Sequence, residues 1–178
     1  MKVLIVIDMQ KDFTTGALGN PETAAVVGNV AEYITKFRNE NKDGKLIATL
    51  DTHNEDYMNT QEGKKLPVPH CIKGTDGWQL NDRIREAIYG KDFDVVEKHT
   101  FGSTELPKLI RSDAGDDEVS IELIGLCTDI CVVSNALILK ANFCESEVSV
   151  DASCCAGVTP ETHRAALETM KMCQINVK

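Results

Sequence analysis

The sequence has few basic residues and no cradle for phosphate. Lys and Arg number 19 against 28 Asp and Glu, a net charge of -9 in 178 residues. No basic patch is visible, which argues against nucleic acid or an anionic membrane as partner. No Gly-x-Gly-x-x-Gly follows the first apolar run and no phosphate-binding loop occurs, so no nucleotide cofactor is expected. A helical His-Glu-x-x-His is missing too, which argues against a zincin peptidase. The apolar run before Asp8 is too short for a signal-peptide core or a membrane span. The seven cysteines are odd in number and irregularly spaced, and a chain of this length can bury a core without disulfides. The expectation is one domain over residues 1–178 in a reducing, cytoplasmic setting. Repeats and linkers are absent as well, and the acidic cluster from Asp113 to Glu118 reads as a solvated loop.

What the chain does have is alternation. Short apolar runs follow helical patterns from end to end, the signature of βαβ units around a parallel sheet. Strands are predicted at Val3–Ile7, Lys45–Leu50, Val95–Val96, the run from Val119 to Gly125, Glu147–Val150 and Gln174–Val177. Between them, Asn20-Pro21-Glu22 opens a helix with the stripe Val26, Val30, Ile34, Phe37; Leu80, Ile84, Ala87 and Ile88 mark a second that stops at Gly90. Ser103–Ile110 forms a short helix, Val132, Ala136 and Leu139 mark another, and Thr159-Pro160-Glu161 opens the last. The fold class is therefore α/β, a three-layer α/β/α arrangement with a six-stranded, mainly parallel sheet of Rossmann-like topology. Residues 52–77 show neither period and form a long loop at the carboxyl edge of the sheet, where open α/β sheets bind ligands.

Polar residues gather at that edge. The run Val119–Gly125 leads through Leu126-Cys127-Thr128-Asp129-Ile130-Cys131, with Thr128 or Asp129 as N-cap and Cys131 in the first helical turn. A helix terminus favours a thiolate and can hold an oxyanion. Asp8 follows the first strand and Lys98 the third. A cysteine nucleophile, a carboxylate that accepts and returns its proton, and an ammonium that stabilises the pair make a complete hydrolytic set. Asp51-Thr52-His53 brings two ligands to one side of an extended segment, His70 in Pro67-Val68-Pro69-His70 can complete a divalent-metal site, and Glu62 can add a fourth donor. Cys127 and Cys131 do not have redox Cys-x-x-Cys spacing, and Cys71, Cys154 and Cys155 read as packing or loop residues.

These segments resemble the cysteine amidohydrolases of the isochorismatase-like superfamily, and among them the nicotinamidases. The resemblance lies in Asp8-Met9-Gln10-Lys11-Asp12-Phe13, Asp51-Thr52-His53, Pro69-His70-Cys71, Glu97-Lys98 and Gly125-Leu126-Cys127-Thr128-Asp129-Ile130-Cys131-Val132, in the family's order. It implies Asp8 as acid/base, Lys98 as electrostatic partner, Cys131 as nucleophile, and the amides of Cys127 and Cys131 as oxyanion hole beside a cis Leu126–Cys127 peptide. It implies one divalent metal on Asp51, His53, His70 and Glu62, zinc first with iron or manganese as alternatives, which takes a pyridine nitrogen. Phe13 and Phe101 match positions that pack on the ring, and Thr52 stands where many relatives carry an aromatic. The implied reaction is hydrolysis of nicotinamide to nicotinate and ammonia through a thioester, a step of NAD salvage, by an enzyme expected to be a homo-oligomer. Asp12 and Asp129 are expected to brace loops. Two rivals stand beside this reading: a metal-free relative acting on a carbamoyl amide or a vinyl ether, and a non-catalytic domain that keeps the fold.

Overall fold

The computed structural model describes residues 1–90 and 92–178. Its elements, in chain order, are β1 (Lys2–Ile7), α1 (Lys11–Thr14), α2 (Pro21–Ala25), α3 (Val27–Glu40), β2 (Lys45–Asp51), a 3-10 turn (Tyr57–Asn59), α4 (Gln61–Lys65), α5 (Asp82–Ile88), β3 (Asp94–Lys98), α6 (Glu105–Ala114), β4 (Ser120–Leu126), a π turn (Thr128–Val132), α7 (Val133–Asn142), β5 (Glu147–Ala156), α8 (Pro160–Met172) and β6 (Asn176–Val177). The six strands pair in the order β3-β2-β1-β4-β5-β6, every pair parallel. The sheet is thus wholly parallel rather than mainly so.

Two apolar layers enclose it, as strand alternation requires. Val3, Ile5 and Ile7 pack with Leu106, Ile110, Ala136, Leu139 and Met170 of α6, α7 and α8. Leu4 and Val6 point the other way, to Val30, Ile34 and Phe37 of α3 and to Ile84 and Ile88 of α5. Strands covered on both faces need apolar residues at every position, and β1 reads that way from Val3 to Ile7.

The departures from expectation are local. The first long helix breaks at Val26, so Val27 takes the buried place assigned to Val26. Asn20 and Thr159 do cap their helices, each in a capping box with the threonine three residues on. β3 runs to Lys98, which makes Lys98 the last residue of a strand rather than the start of a loop, and β5 continues to Ala156 past a register shift. The predicted structureless loop holds the 3-10 turn and α4, whose N-cap Thr60 accepts from the Gly63 amide. β4 ends at Leu126, one residue beyond the predicted run. Gly125 has an unusual backbone: its φ is +119°, and a Cβ there would collide with the Ile7 carbonyl of β1. Close approach of β4 to β1 brings the ends of both strands into one site.

Candidate active site

Four parallel strands deliver four polar side chains to the carboxyl edge. Ile7 is in register with Gly125, and Asp51 with Lys98, so Asp8 lies between the end of β2 and the turn after β4. Asp8 has a left-handed backbone, φ +45°, and Thr49 of β2 holds it there. The Asp8 amide donates to Thr49 Oγ1 at 3.1 Å, and the same hydroxyl donates to Asp8 Oδ1 at 2.6 Å. The second oxygen, Oδ2, lies 2.6 Å from Nζ of Lys98. That contact is ionic rather than directional, since Oδ2 has no hydrogen-bond partner of good geometry.

Lys98 is the hub. Its Nζ also lies 3.2 Å from Asp51 Oδ1, 3.3 Å from the Thr100 carbonyl and 3.4 Å from Cys131 Sγ. Asp8, Lys98 and Cys131 are all buried. Burial alone would lower the Lys98 ammonium, but Asp8, Cys131 and Asp51 together hold it above its ordinary value and charged. Burial raises the Asp8 carboxyl, against the opposing charge of Lys98. Burial, with Asp8 beside it, also pushes the Cys131 thiol well above its usual range. The expected helix-terminus thiolate meets an opposing environment: burial and the neighbouring Asp8 both favour the protonated sulfur. A buried sulfur facing a carboxylate gains more from keeping its proton than from the partial charge of a helix end.

The capping expectation is corrected too. Residues 128–132 form a π turn without a side-chain cap. Thr128 Oγ1 pairs with His163 Nδ1 of α8 at 2.8 Å, and Asp129 accepts from the Val158 amide at 3.0 Å and from the Thr162 hydroxyl. These two side chains anchor the nucleophile turn to α8 instead of capping α7. The Leu126–Cys127 peptide is cis, and the Cys127 carbonyl accepts from the Ile130 and Val132 amides as the turn begins.

Beside this cluster lie Asp51, His53 and His70, whose ligand atoms all fall within 4.8 Å of one another. Asp51 and His53 are two residues apart in extended chain and face the same side. His53 Nε2 is 3.0 Å and His70 Nε2 3.5 Å from Asp51 Oδ2. Glu62 of α4 stands near, its Oε1 3.7 Å from both imidazole nitrogens. His70 donates its Nδ1 proton to the Val68 carbonyl at 2.8 Å, which leaves the Nε2 lone pair for a ligand. Burial would raise the Asp51 carboxyl, but the imidazoles of His53 and His70 beside it and the charge of Lys98 keep it well below the usual carboxylate range. One ionised carboxylate and two imidazole nitrogens, buried and convergent, fit a divalent cation.

Phe13 of α1 packs edge-on to His70, with centroids 5.6 Å apart. Phe101, 43% exposed, lies in the segment after β3. Asp12 braces as expected, accepting from the Cys71 amide next to His70 and from the Ala17 amide.

Four residues here were given no role from the sequence. Thr49 holds Asp8, and Gln10 clamps the Asp51 peptide from both sides, donating to its carbonyl at 2.9 Å and accepting from its amide at 2.8 Å. Tyr57 packs edge-on to both histidines, at 4.7 and 5.1 Å. Trp78 donates its indole N–H to Thr52 Oγ1 at 3.0 Å, so an aromatic from another loop reaches the residue between the two metal-ligand candidates. A buried Thr or Gln amid apolar residues at a strand end was the available signal, because such groups must be paired.

Known proteins resemble this chain along nearly its whole length. The sequence family described as the isochorismatase domain matches residues 2–177. The chain is 28% identical over 193 residues to a nicotinamidase/pyrazinamidase of Mycobacterium tuberculosis, covering 99% of this chain and 98% of that one. A crystal structure of the pyrazinamidase of Pyrococcus horikoshii in complex with zinc superposes with a TM-score of 0.79 at 29% identity, covering 99% and 98% of the two chains. The N-carbamoylsarcosine amidase of Thermoplasma acidophilum superposes equally, TM-score 0.79 at 26% identity, over 99% and 95%.

Proposed function

We propose that this chain, which belongs to the isochorismatase family, is a metal-dependent cysteine amidohydrolase that converts nicotinamide to nicotinate and ammonia. One observation carries the reading. A single buried ammonium, Lys98 Nζ, lies 2.6 Å from Asp8, 3.4 Å from Cys131 and 3.2 Å from Asp51. The hydrolytic set and the metal-ligand set are therefore one site. A metal-free hydrolase has no use for His53 and His70, and the zinc complex of the Pyrococcus horikoshii relative supports zinc as the ion.

Asp51, His53 and His70 would hold the ion, with Glu62 alongside. When bound, the ion supplies a Lewis-acidic anchor for an aromatic ring nitrogen. Phe13 and Phe101 give the ring its apolar walls. Asp8 takes the proton from Cys131 as the sulfur attacks the carboxamide carbon. Both groups are raised by burial, so Asp8 is a stronger base than an ordinary carboxylate, matched more closely to the thiol it must deprotonate. Lys98 stays charged and offsets the negative charge that the transfer moves between sulfur and carboxylate. The amides of Cys127 and Cys131 hold the developing oxyanion, and one such donor is typically worth roughly 3 to 4 kcal/mol. Asp8 then hands its proton to the amide nitrogen, ammonia leaves, and a thioester remains on Cys131. Water, deprotonated by Asp8, attacks the thioester; nicotinate departs and the thiol regains its proton. The free cysteines support a reducing compartment, the cytoplasm, and the product would feed NAD salvage.

The test is ammonia release from nicotinamide by metal-loaded protein, by chelated protein and by Cys131→Ala. Release is expected from the first alone. No release from the loaded protein sinks the nicotinamidase reading, undiminished release after chelation sinks the metal's role, and an active Cys131→Ala sinks the mechanism.

A further inference from the structure

Asn135 is fully buried on α7, one helical turn beyond Cys131, and every polar atom of its side chain is engaged. Nδ2 donates to the Cys131 carbonyl at 2.8 Å and to the Phe101 carbonyl at 3.0 Å, while Oδ1 accepts from the Ser103 amide at 2.8 Å. One amide thus ties the nucleophile's turn to the segment between β3 and α6. That segment has no repeating structure of its own. It is held at Thr100 by the Lys98 ammonium, 3.3 Å away. It lies flat on α7 at Gly102, where a Cβ would come within 2.5 Å of Ile138 Cδ1. Ser103 Oγ accepts from the amide of Glu105, the first residue of α6, at 3.2 Å.

A buried asparagine with all its bonds made is usually a brace and nothing more. Here the braced groups belong to the site itself: one partner is the backbone of the nucleophile, the others are the carbonyl of Phe101 and the amide of Ser103. Phe101 is half-exposed, so its own packing cannot fix it. The position of its ring relative to Cys131 depends on the polar bonds made by its own carbonyl and by its neighbours.

We propose that Asn135 is a positioning residue for substrate affinity: it holds residues 100–103, and through them Phe101, in fixed register with Cys131, and so sets the grip on an aromatic ring. The inference rests on the amidase reading above. It predicts that losing the loop bonds weakens ring binding without slowing the chemistry.

Asn135→Ser separates the two roles. A serine on a helix can still donate to the carbonyl four residues back, here Cys131, but cannot reach Phe101 or Ser103. Four quantities are measured on metal-loaded protein: KM and kcat for nicotinamide, the rate at which iodoacetamide alkylates Cys131 (followed on its peptide by mass spectrometry), and hydrogen exchange at the Ser103 amide. Expected is a KM raised about tenfold, the size of losing one or two neutral hydrogen bonds, with kcat and the alkylation rate unchanged and faster exchange at Ser103. In a Phe101→Ala background the serine substitution should leave KM where Phe101→Ala alone puts it. An equal KM effect with and without Phe101, a fall in kcat with KM unmoved, or unaltered Ser103 exchange overturns the inference. Wild-type protein that releases no ammonia overturns the amidase reading instead. Asn135→Thr, with the same reach and more volume, replaces the serine variant if that fails to fold.

Discussion

Replacing Lys98 by methionine keeps most of the side chain's volume and removes the charge at the hub. In the wild type this ammonium neutralises two buried carboxylates, Asp8 at 2.6 Å and Asp51 at 3.2 Å. Removing one partner of a buried ion pair costs about 3 to 5 kcal/mol, because the remaining charge is stranded. A domain of this length loses about 2 to 4 °C of Tm per kcal/mol, so Lys98→Met should melt roughly 6 to 20 °C lower at neutral pH. It should still fold, since typical stabilities are about 5 to 15 kcal/mol.

The loss should also depend on pH, with a definite sign. Burial raises Asp8 and Lys98 opposes it, so without Lys98 the folded-state pKa of Asp8 rises further above its unfolded value. A carboxyl raised on folding is destabilising above its unfolded pKa and costs nothing once both states are protonated. The deficit of Lys98→Met should therefore shrink on acidification and approach its minimum near about pH 4, close to the unfolded carboxylate value. Lys98 itself titrates far above this window and stays charged throughout it. Thermal melts of both proteins across the acid to neutral range, after chelation so that metal binding does not shift the midpoints, give the comparison. A deficit that is the same at every pH, or a variant that melts within about 2 °C of wild type at neutral pH, refutes the reasoning. Ammonia release should fall about 100- to 1,000-fold, the usual cost of one aligned electrostatic contact.

Two further predictions concern the same cluster. The Thr49 hydroxyl, donating to Asp8 at 2.6 Å, lowers the Asp8 carboxyl against burial. Thr49→Val should raise that carboxyl further and shift the acid limb of kcat/KM to higher pH, with Thr49→Ser restoring it; a limb that stays in place contradicts the role. Cys127 should matter for its amide and not its sulfur: Cys127→Ala is expected to keep activity within about threefold of wild type while losing about 1 kcal/mol of packing, and a variant with activity lost altogether would give the sulfur a part in the chemistry.

Much of the architecture was legible because it repeats. Apolar runs such as Val3–Ile7 and the stripe Val30, Ile34, Phe37 carry their period along the chain, and the Asn20 and Thr159 caps are local chemistry. The candidate ligands Asp51 and His53 were legible for a similar reason, since two residues of extended chain share a face. Boundaries were less so. Val26 against Val27, or β5 running on to Ala156, is settled by what packs on the element rather than by its own propensity.

The sequence by itself determined the strand-helix alternation, the three-layer class and the residue types able to support cysteine hydrolysis and hold a metal, because these follow from local periodicity and side-chain chemistry. Only the tertiary structure decided how those residues meet. Parallel register across four strands brings Lys98 against Asp8, Asp51 and Cys131. Thr49, Gln10, Tyr57 and Asn135 acquire their parts from partners that lie mostly far away in sequence. The upward push on the Cys131 thiol, against the expectation drawn from its helix-end position, has the same origin. Desolvation and neighbouring charge act through space, and in a buried cluster they outweigh anything a residue's place along the chain can specify.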